Sequence, residues 1–295
     1  MTQAGMLPND QIAARFQEVA RLLNEQGANP YRVMAWQRAA IGIRRLREPV
    51  TQLYAREGLD GLRELPGIGE RIATALRSLI VTGRLPMLER LRGELDPIAI
   101  LTSVPGIGDV QAKRLHQDLG IDSLEDLEAA AHDGRLATIA GFGPKRIAGI
   151  SDCLASRLGR VRTPAAATPE EVPVAELLDI DCEYREGAAG KTLRRIAPRR
   201  FNPQGEAWLP VLHTERGDRH YTALFSNTAR AHEAGKTRDW VILYWDGASG
   251  ERQSTVITAR QGPLQGRRIV RGRENECAEY YGSIQPDRGI PAHAG

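Results

Sequence analysis

The stretch LRELPGIGERIATAL (Leu62–Leu76) places a Gly-x-Gly turn between two apolar, helix-forming segments. Two later segments repeat it, ILTSVPGIGDVQAKRL (100–115) and TIAGFGPKRIAGI (138–150). Their first glycines, Gly67, Gly106 and Gly141, recur at intervals of about 35 to 40 residues, which marks an internal repeat. The chain therefore carries three related helix-turn-helix units in its first half.

The glycines suit two tasks at once. A tight turn between helices needs a positive φ, which glycine adopts without steric cost, and the missing Cβ lets the backbone approach another surface. The turn ends at a helix N-terminus, where unpaired N–H groups and the helix dipole attract a phosphate oxygen. The pattern predicts binding of a nucleic-acid backbone that depends on salt and not on base sequence.

The first two copies match each other closely. In both, a proline precedes the first glycine, and a small alanine (Ala73, Ala112) stands four residues after the second glycine, which favours close helix packing. The third copy has Ala140 in place of the proline and Ile147 in place of the alanine, but keeps two cations in its first turn. The sequence leaves open whether this copy contacts nucleic acid or is purely structural.

The predicted fold class is multi-domain: an all-α N-terminal half with tandem helix-hairpin-helix motifs, then a small α+β C-terminal domain. Residues 8–160 read as helical, and the Pro-, Ala- and Thr-rich stretch 161–173 reads as a linker. Residues 174–282 form the α+β domain, and residues 283–295 are expected to be a disordered tail.

Composition restricts the class of protein. The net charge is +3, and only four of the 40 basic residues are lysines, at 113, 145, 191 and 236. The three cysteines are scattered and form no CxxC pair, which argues against a disulfide framework and against a zinc site. No signal peptide or apolar run of membrane-spanning length, about 18 residues, is visible. We therefore expect a cytoplasmic, nucleoid-associated protein.

Five segments in order, QGANPYRVMAWQRAA, LPGIGERIA, TGRLPMLERL, SVPGIGDVQAKRL and GFGPKRIAGI, resemble the N-terminal half of family X DNA polymerases, especially the bacterial type. The resemblance covers roughly residues 8 to 160. It implies a polymerase-β-like N-terminal domain over about 8–95 and a second helix-hairpin-helix region over 96–160. It also implies a role in DNA repair, on gapped or nicked DNA held near a 5′ end.

The expected DNA-binding residues come from the three turns, the helical segments that follow them, and the helix beside the first hairpin. They are Gly67, Ile68, Gly69, Arg71, Gly106, Ile107, Gly108, Lys113, Arg114, Gly141, Gly143, Lys145, Arg146, Arg32, Trp36 and Arg38. Trp36 stands where the family usually has a tyrosine, and either stacks on a base or belongs to the core.

The chain departs from the family at both catalytic centres. The position of the lyase lysine that forms a Schiff base is Ala75, and Arg71 replaces a nearby lysine; arginine cannot serve as the amine. Asp179, Asp181 and Asp246 mimic the polymerase carboxylates, but no Gly-Ser precedes Asp179 and its surroundings have helical periodicity. The histidine-rich phosphoesterase domain of bacterial members has no counterpart. We therefore predict no catalytic or metal-binding residue.

The C-terminal domain leaves its role open. Its arginines cluster as Arg194, Arg195, Arg199 and Arg200, and again as Arg267, Arg268, Arg271 and Arg273; each cluster is either a phosphate track or a solvated face. His213, His220, Tyr221 and Glu206 have no spacing that supports catalysis.

Three hypotheses remain for the whole chain. It is a non-catalytic DNA-binding protein, a DNA-processing enzyme (a nuclease or a degenerate nucleotidyltransferase), or a DNA-binding protein that recruits a protein partner through its C-terminal domain. The enzyme would use carboxylates among Glu206, Asp239, Asp246 and Glu251 to hold Mg²⁺. Otherwise no cofactor is expected, apart from a monovalent cation at the hairpins.

Overall fold

The computed structural model describes residues 7–93, 97–158, 172–247 and 250–284. Helices make up the first half, and a six-stranded antiparallel sheet with flanking helices makes up the second. The predicted fold class is therefore confirmed. The helices are α1 Asn9–Glu25, α2 Pro30–Arg45, α3 Val50–Arg63, α4 Glu70–Thr82, α5 Pro86–Leu91, α6 Pro97–Thr102, α7 Asp109–Leu119, α8 Leu124–His132, α9 Pro144–Arg157, α10 Val174–Ala189, α11 Ala229–Glu233 and α12 Glu274–Ile284.

Helices α1 to α5 form the first helical module around a single apolar core. The core is centred on an edge-to-face pair, Phe16 with Trp36, whose ring centroids lie 4.9 Å apart. Helix α2 begins as its sequence predicts, with Pro30 in the first turn and the Asn29 side chain accepting a hydrogen bond from the Tyr31 N–H at 2.7 Å. Local signals thus fix where α2 begins.

Helix α3 is longer than its sequence predicts. We expect a helix from Val50 to Arg56, but the structure continues it to Arg63 across a break at Gly58, where φ is 65°. Glycine tolerates this conformation, so the chain turns at Gly58 and resumes a helix that leads directly into the first hairpin.

Helices α6 to α9 form the second helical module, with a separate apolar core. Ser123 followed by Asp126 resembles a capping box in the sequence, and helix α8 is capped in this way. The Asp126 N–H donates to the Ser123 hydroxyl at 3.1 Å, and that hydroxyl donates back to the Asp126 carboxylate at 2.8 Å. Because the two modules have separate cores, packing within each does not determine how they are oriented relative to each other.

The sheet is a simple meander in which each strand pairs with the next. The strands are β1 Arg194–Ile196, β2 Leu209–Arg216, β3 Arg219–Phe225, β4 Val241–Gly247, β5 Gly250–Thr258 and β6 Arg268–Val270. In the sequence, strand-like runs flank the turn-forming stretch ERGD (215–218), and an apolar run at Trp240–Trp245 indicates a buried strand. The structure has these as β2–β3 and β4. Strands β1 and β6 have three residues each, which is too short to show alternation in the sequence.

The two faces of the sheet have different partners. On β4, Leu243 and Trp245 face the apolar core shared with α10 and α12, while Ile242 and Tyr244 belong to a second, smaller cluster on the opposite face. Polar side chains of this opposite face contact both helical modules. The sheet therefore lies between its own helices and the N-terminal half.

The predicted boundaries of the C-terminal domain need two adjustments. The predicted linker, 161–173, falls almost wholly outside the described residues, but Val172 is described and is buried. The predicted disordered tail starts too early, because Ser283 and Ile284 belong to α12; residues 285–295 are outside the described ranges. No helix in the described ranges is long and apolar enough to cross a membrane.

Candidate nucleic-acid interface

The three Gly-x-Gly turns have the same backbone geometry. The first glycine of each has a positive φ: 80° at Gly67, 88° at Gly106 and 96° at Gly141. In each turn the following N–H closes back on a carbonyl three residues earlier, at 3.0, 3.0 and 3.2 Å. The third copy is therefore a true hairpin, despite its departures in sequence.

The second glycine of each turn stands just before the helix that follows the turn. Gly69 and Gly108 are helix N-caps with extended backbone (φ of −82° and −90°), and neither supplies a side-chain cap. A Cβ added at Gly69 or Gly143 would meet nothing within 4 Å, and one added at Gly108 would meet only the end of the Gln111 side chain. Because glycine has no side chain, the first-turn N–H groups of these helices receive no hydrogen bond from the residue at the cap position.

The residue between the two glycines anchors each turn. Ile68, Ile107 and Phe142 are each 4% exposed and pack into the core of their module. Ala73 and Ala112 are fully buried, as expected for small residues where two helices pack closely. Ile68 and Ile107 are therefore supports for the turn and do not form part of its outer surface.

Arg146 links the second and third hairpins. Its guanidinium donates to the Gly106 carbonyl through Nε at 2.8 Å and to the Gly141 carbonyl through Nη1 at 2.8 Å. The donors of this side chain face the two turns, so we assign it to holding them together.

Three predicted cations do lie exposed on the helices that follow the hairpins: Lys145 in the first turn of α9, and Lys113 and Arg114 in the second turn of α7. No ion pair involves them among the described residues. Arg71, at the first hairpin, is half-buried and donates to the Asp218 carbonyl in the β2–β3 turn. The second and third hairpins thus offer more free positive charge than the first.

The three residues predicted beside the first hairpin differ in their exposure to solvent. Arg38 is exposed, and its Cβ is 3.6 Å from where a Cβ of Gly67 would be. Arg32 is only 8% exposed and pairs with Asp246 at 3.5 Å. Trp36 is 5% exposed and belongs to the core, the second of the two roles that the sequence left open. Only Arg38 therefore lies on the surface beside the hairpin.

A cleft of about 590 Å³ lies between the first two hairpins. Ala75 lines it, so the position of the family's lyase lysine faces this cleft without an amine. The other lining residues are Trp36, Tyr54, Arg71, Thr74, Arg77, Ser78, Val81, Thr82, Leu85, Pro86, Met87, Ser103, Pro105, Cys153, Asp246 and Glu251.

The carboxylates of the C-terminal domain are bound to arginines. Asp179 and Asp181 lie on α10, as the helical periodicity predicts, and pair with Arg216 and Arg268. Asp239 also pairs with Arg268, and Glu251 pairs with the buried Arg90. No three His, Cys, Asp or Glu side chains in the described part of the chain are close enough together to hold a metal ion.

The two arginine clusters differ in their partners. In the second cluster, Arg268 and Arg273 are bound to carboxylates, while Arg267 and Arg271 stack over Tyr281 and Trp240. In the first, Arg194, Arg195 and Arg199 are exposed, and Arg200 lies 3.4 Å from Asp122. The second cluster is thus largely internal to the domain.

The residues that superficially suggested a catalytic set are not assembled into one. Glu206 is exposed in a loop, and the Tyr221 hydroxyl donates to Glu176. The His213 ring contacts Thr222 at 3.1 Å and Gln26 of α1 at 3.0 Å. Burial, assisted by nearby arginines, lowers the pKa of His213 to about 3, so this histidine is neutral in the folded protein.

These features define the class of protein: a chain with tandem helix-hairpin-helix modules. Residues 7–85 match the model of a helix-hairpin-helix domain, and residues 98–155 match that of a SAM-like helix-hairpin-helix tandem.

One protein to which the chain is similar is an enzyme. The chain is similar to the DNA polymerase/3'-5' exonuclease PolX of Bacillus subtilis (strain 168), with 26% identity over 176 residues, which are 59% of this chain and 28% of that protein. The predicted resemblance to the helix-hairpin-helix half of family X polymerases is thereby confirmed. The chain spans less than a third of this relative's length.

Proposed function

We propose that this chain is a DNA-binding protein that holds the phosphate backbone through its three hairpins without reading base sequence. The observation that carries the proposal is the second glycine of each turn. At Gly69, Gly108 and Gly143 the backbone does not require glycine, and a serine or aspartate would cap the helix better. Glycine is useful there when another molecule must approach the uncapped helix N-terminus closely.

The charges around the hairpins support the same function. Lys145 lies exposed in the first turn of α9, and Lys113 and Arg114 lie exposed in the second turn of α7, near helix N-termini whose dipole attracts the same anion. Arg38 adds a fourth exposed cation beside Gly67. Such contacts bind phosphates at any sequence, and binding weakens steeply with salt.

The similarity to a DNA polymerase supports a substrate among repair intermediates. The matched region is the one that, in family X polymerases, holds gapped or nicked DNA. We therefore propose gapped and nicked duplexes as the preferred DNA and a role in repair.

No specific contact favours the enzyme hypothesis over binding alone. Of the four carboxylates named for it, Asp239, Asp246 and Glu251 each pair with an arginine, and Glu206 lies exposed in a loop. Both faces of the sheet make contacts within the chain, one with α10 and α12 and the other with the helical modules, so neither face favours the partner-recruiting hypothesis.

The test compares affinities for duplex, nicked, gapped and single-stranded DNA at about 50 mM and about 200 mM salt. We expect affinity to fall by at least about tenfold between the two salts, with gapped or nicked DNA bound best. Arg114→Ala should weaken binding to every DNA, whereas Arg185→Ala, an equally exposed helical arginine on α10, should not. Absence of binding at low salt would refute the proposal, and Mg²⁺-dependent cleavage of the DNA would point to the enzyme.

A further inference from the structure

The sheet face that carries Ile242 and Tyr244 also carries polar side chains, and these contact both helical modules. The two modules have separate cores, and in the described part of the chain no helix of one packs extensively on a helix of the other. Both contact the same sheet face, through strands β2, β4 and β5. The loop after β1 also reaches both, with the Arg199 N–H donating to the Gly93 carbonyl and Arg200 close to Asp122. The contacts on each side are charged or polar and largely buried.

The first module is held by two buried arginines. Arg90 is 3% exposed, pairs with Glu251 on β5 and lies over the Tyr244 ring at 4.4 Å. Arg32 pairs with Asp246 on β4. A buried charge without its partner is strongly unfavourable, so these pairs resist separation of the module from the sheet.

The second module is held by acidic side chains of α8. Glu125 is 5% exposed and accepts hydrogen bonds from Gln253 Nε2 at 2.8 Å and Thr255 Oγ1 at 2.5 Å, both on β5. Asp126 pairs with Arg230 at 2.9 Å. The neighbouring strand residue, Glu251, holds the first module, so a single strand contacts both.

The first two hairpins lie at the same end of the sheet. The β2–β3 turn accepts a hydrogen bond from Arg71 of the first hairpin. Asp246 and Glu251, beside the β4–β5 turn, line the same cleft as Pro105 of the second hairpin. The end of the sheet thus borders the gap between the two phosphate-binding turns.

We propose that the C-terminal sheet is the spacer that holds the two helical modules at a fixed separation, so that their hairpins engage one DNA molecule together. Glu125, Gln253, Thr255 and Glu251 are its positioning residues. The consequence for DNA rests on the proposed function: two rigidly spaced sites bind more tightly than two loosely tethered ones. The fixed separation itself does not depend on DNA.

The experiment measures the distance between the modules in the full chain. Spin labels are attached at Ala55→Cys on α3 and Ala137→Cys in the second module, both exposed, after Cys153→Ser and Cys182→Ser. The separating variant is Gln253→Ala with Thr255→Ala, which leaves Glu125 buried without these partners. The matched rescue adds Glu125→Met, which replaces the stranded carboxylate with an apolar side chain of similar size. A milder variant, Arg230→Ala, removes only the ion pair to Asp126.

The unaltered chain should give one narrow distance distribution. The separating variant should broaden it several-fold, Arg230→Ala should broaden it less, and the rescue should restore it. DNA affinity should fall by at least about tenfold in the separating variant and recover in the rescue. If the separating variant does not fold, Arg230→Ala decides the question by the same measurement.

A broad distribution in the unaltered chain would overturn the inference, as would a narrow one that no variant changes. If even the unaltered chain binds no DNA, the proposed function fails, while the distances still decide whether the sheet is a spacer.

Discussion

At the scale of single residues, the two glycines of a hairpin have separable roles. Gly106 has φ of 88°, which an L-residue rarely adopts, whereas Gly108 has φ of −90°, which any residue adopts. The sequence predicts that the turn needs glycine, but it does not tell which glycine shapes the turn and which leaves room for a ligand. Only the backbone angles and the space around each position separate the two roles.

We expect Gly106→Ala to lower the free energy of unfolding by about 1–2 kcal/mol, the cost of a left-handed conformation with a Cβ. Gly108→Ala should cost less, about 0.5 kcal/mol, because the backbone already suits alanine and the loss is that of an N-cap glycine and a small movement of the Gln111 side chain. Urea unfolding of the two variants checks this. Equal losses would contradict the assigned roles.

At the scale of elements, the sequence predicts helices and hairpins well where capping or periodicity is local. Ser123 and Asn29 cap helices at the positions expected. The sequence does not reveal that Arg146 spans from the third hairpin to the second, because its partner carbonyl at Gly106 is 40 residues away. Residue type alone makes Arg146 and Lys145 equivalent phosphate ligands, and the structure distinguishes them.

We expect Arg146→Ala to destabilise the second module by about 1 kcal/mol or more, because the two turns lose their shared donor. Lys145→Ala should leave stability unchanged, since this side chain is exposed, but should reduce the salt dependence of DNA binding by about one phosphate contact. Thermal unfolding and salt titration of both variants make the comparison. A stability loss in Lys145→Ala equal to that in Arg146→Ala would contradict it.

At the scale of the whole molecule, the contacts that matter most are those the sequence conceals. The pattern predicts the α and α+β halves, yet nothing local indicates that Glu125 meets Gln253 and Thr255 across more than a hundred residues. The same long-range docking buries Arg32 against Asp246. A residue expected to contact DNA therefore belongs to the internal contact between the first module and the sheet. Residue type and family resemblance located the hairpins, while tertiary contacts decided which cations are free.

The docked arrangement should also make stability depend on pH. His213 lies between β2 and Gln26 of α1, and its pKa in the folded protein is about 3, below the ordinary value of about 6.5. Because the unfolded chain binds the proton more readily, stability is full above pH ~6.5 and declines as pH falls toward 3, by at most about 1.4 kcal/mol per pH unit for this group.

Urea unfolding of the unaltered chain and of His213→Gln at pH 7.5 and pH 5.5 measures this decline. His213→Gln should lose less stability on acidification than the unaltered chain. An identical loss in both would show that His213 is not the group responsible.

The most direct test of the central claim is the DNA affinity of Gly69→Val combined with Gly108→Val, measured at low salt on gapped duplex. These side chains occupy open space at extended backbone positions, apart from the movable end of Gln111, so the chain should still fold, at a cost of about 1 kcal/mol for each N-cap glycine replaced. A matched control is Gly282→Val, which also meets nothing within 4 Å but lies on α12. The account predicts that the double variant binds DNA at least about tenfold more weakly, because each valine blocks close approach to a helix N-terminus. The control should bind DNA as tightly as the unaltered chain. A folded double variant that binds DNA as tightly as the unaltered chain would contradict it.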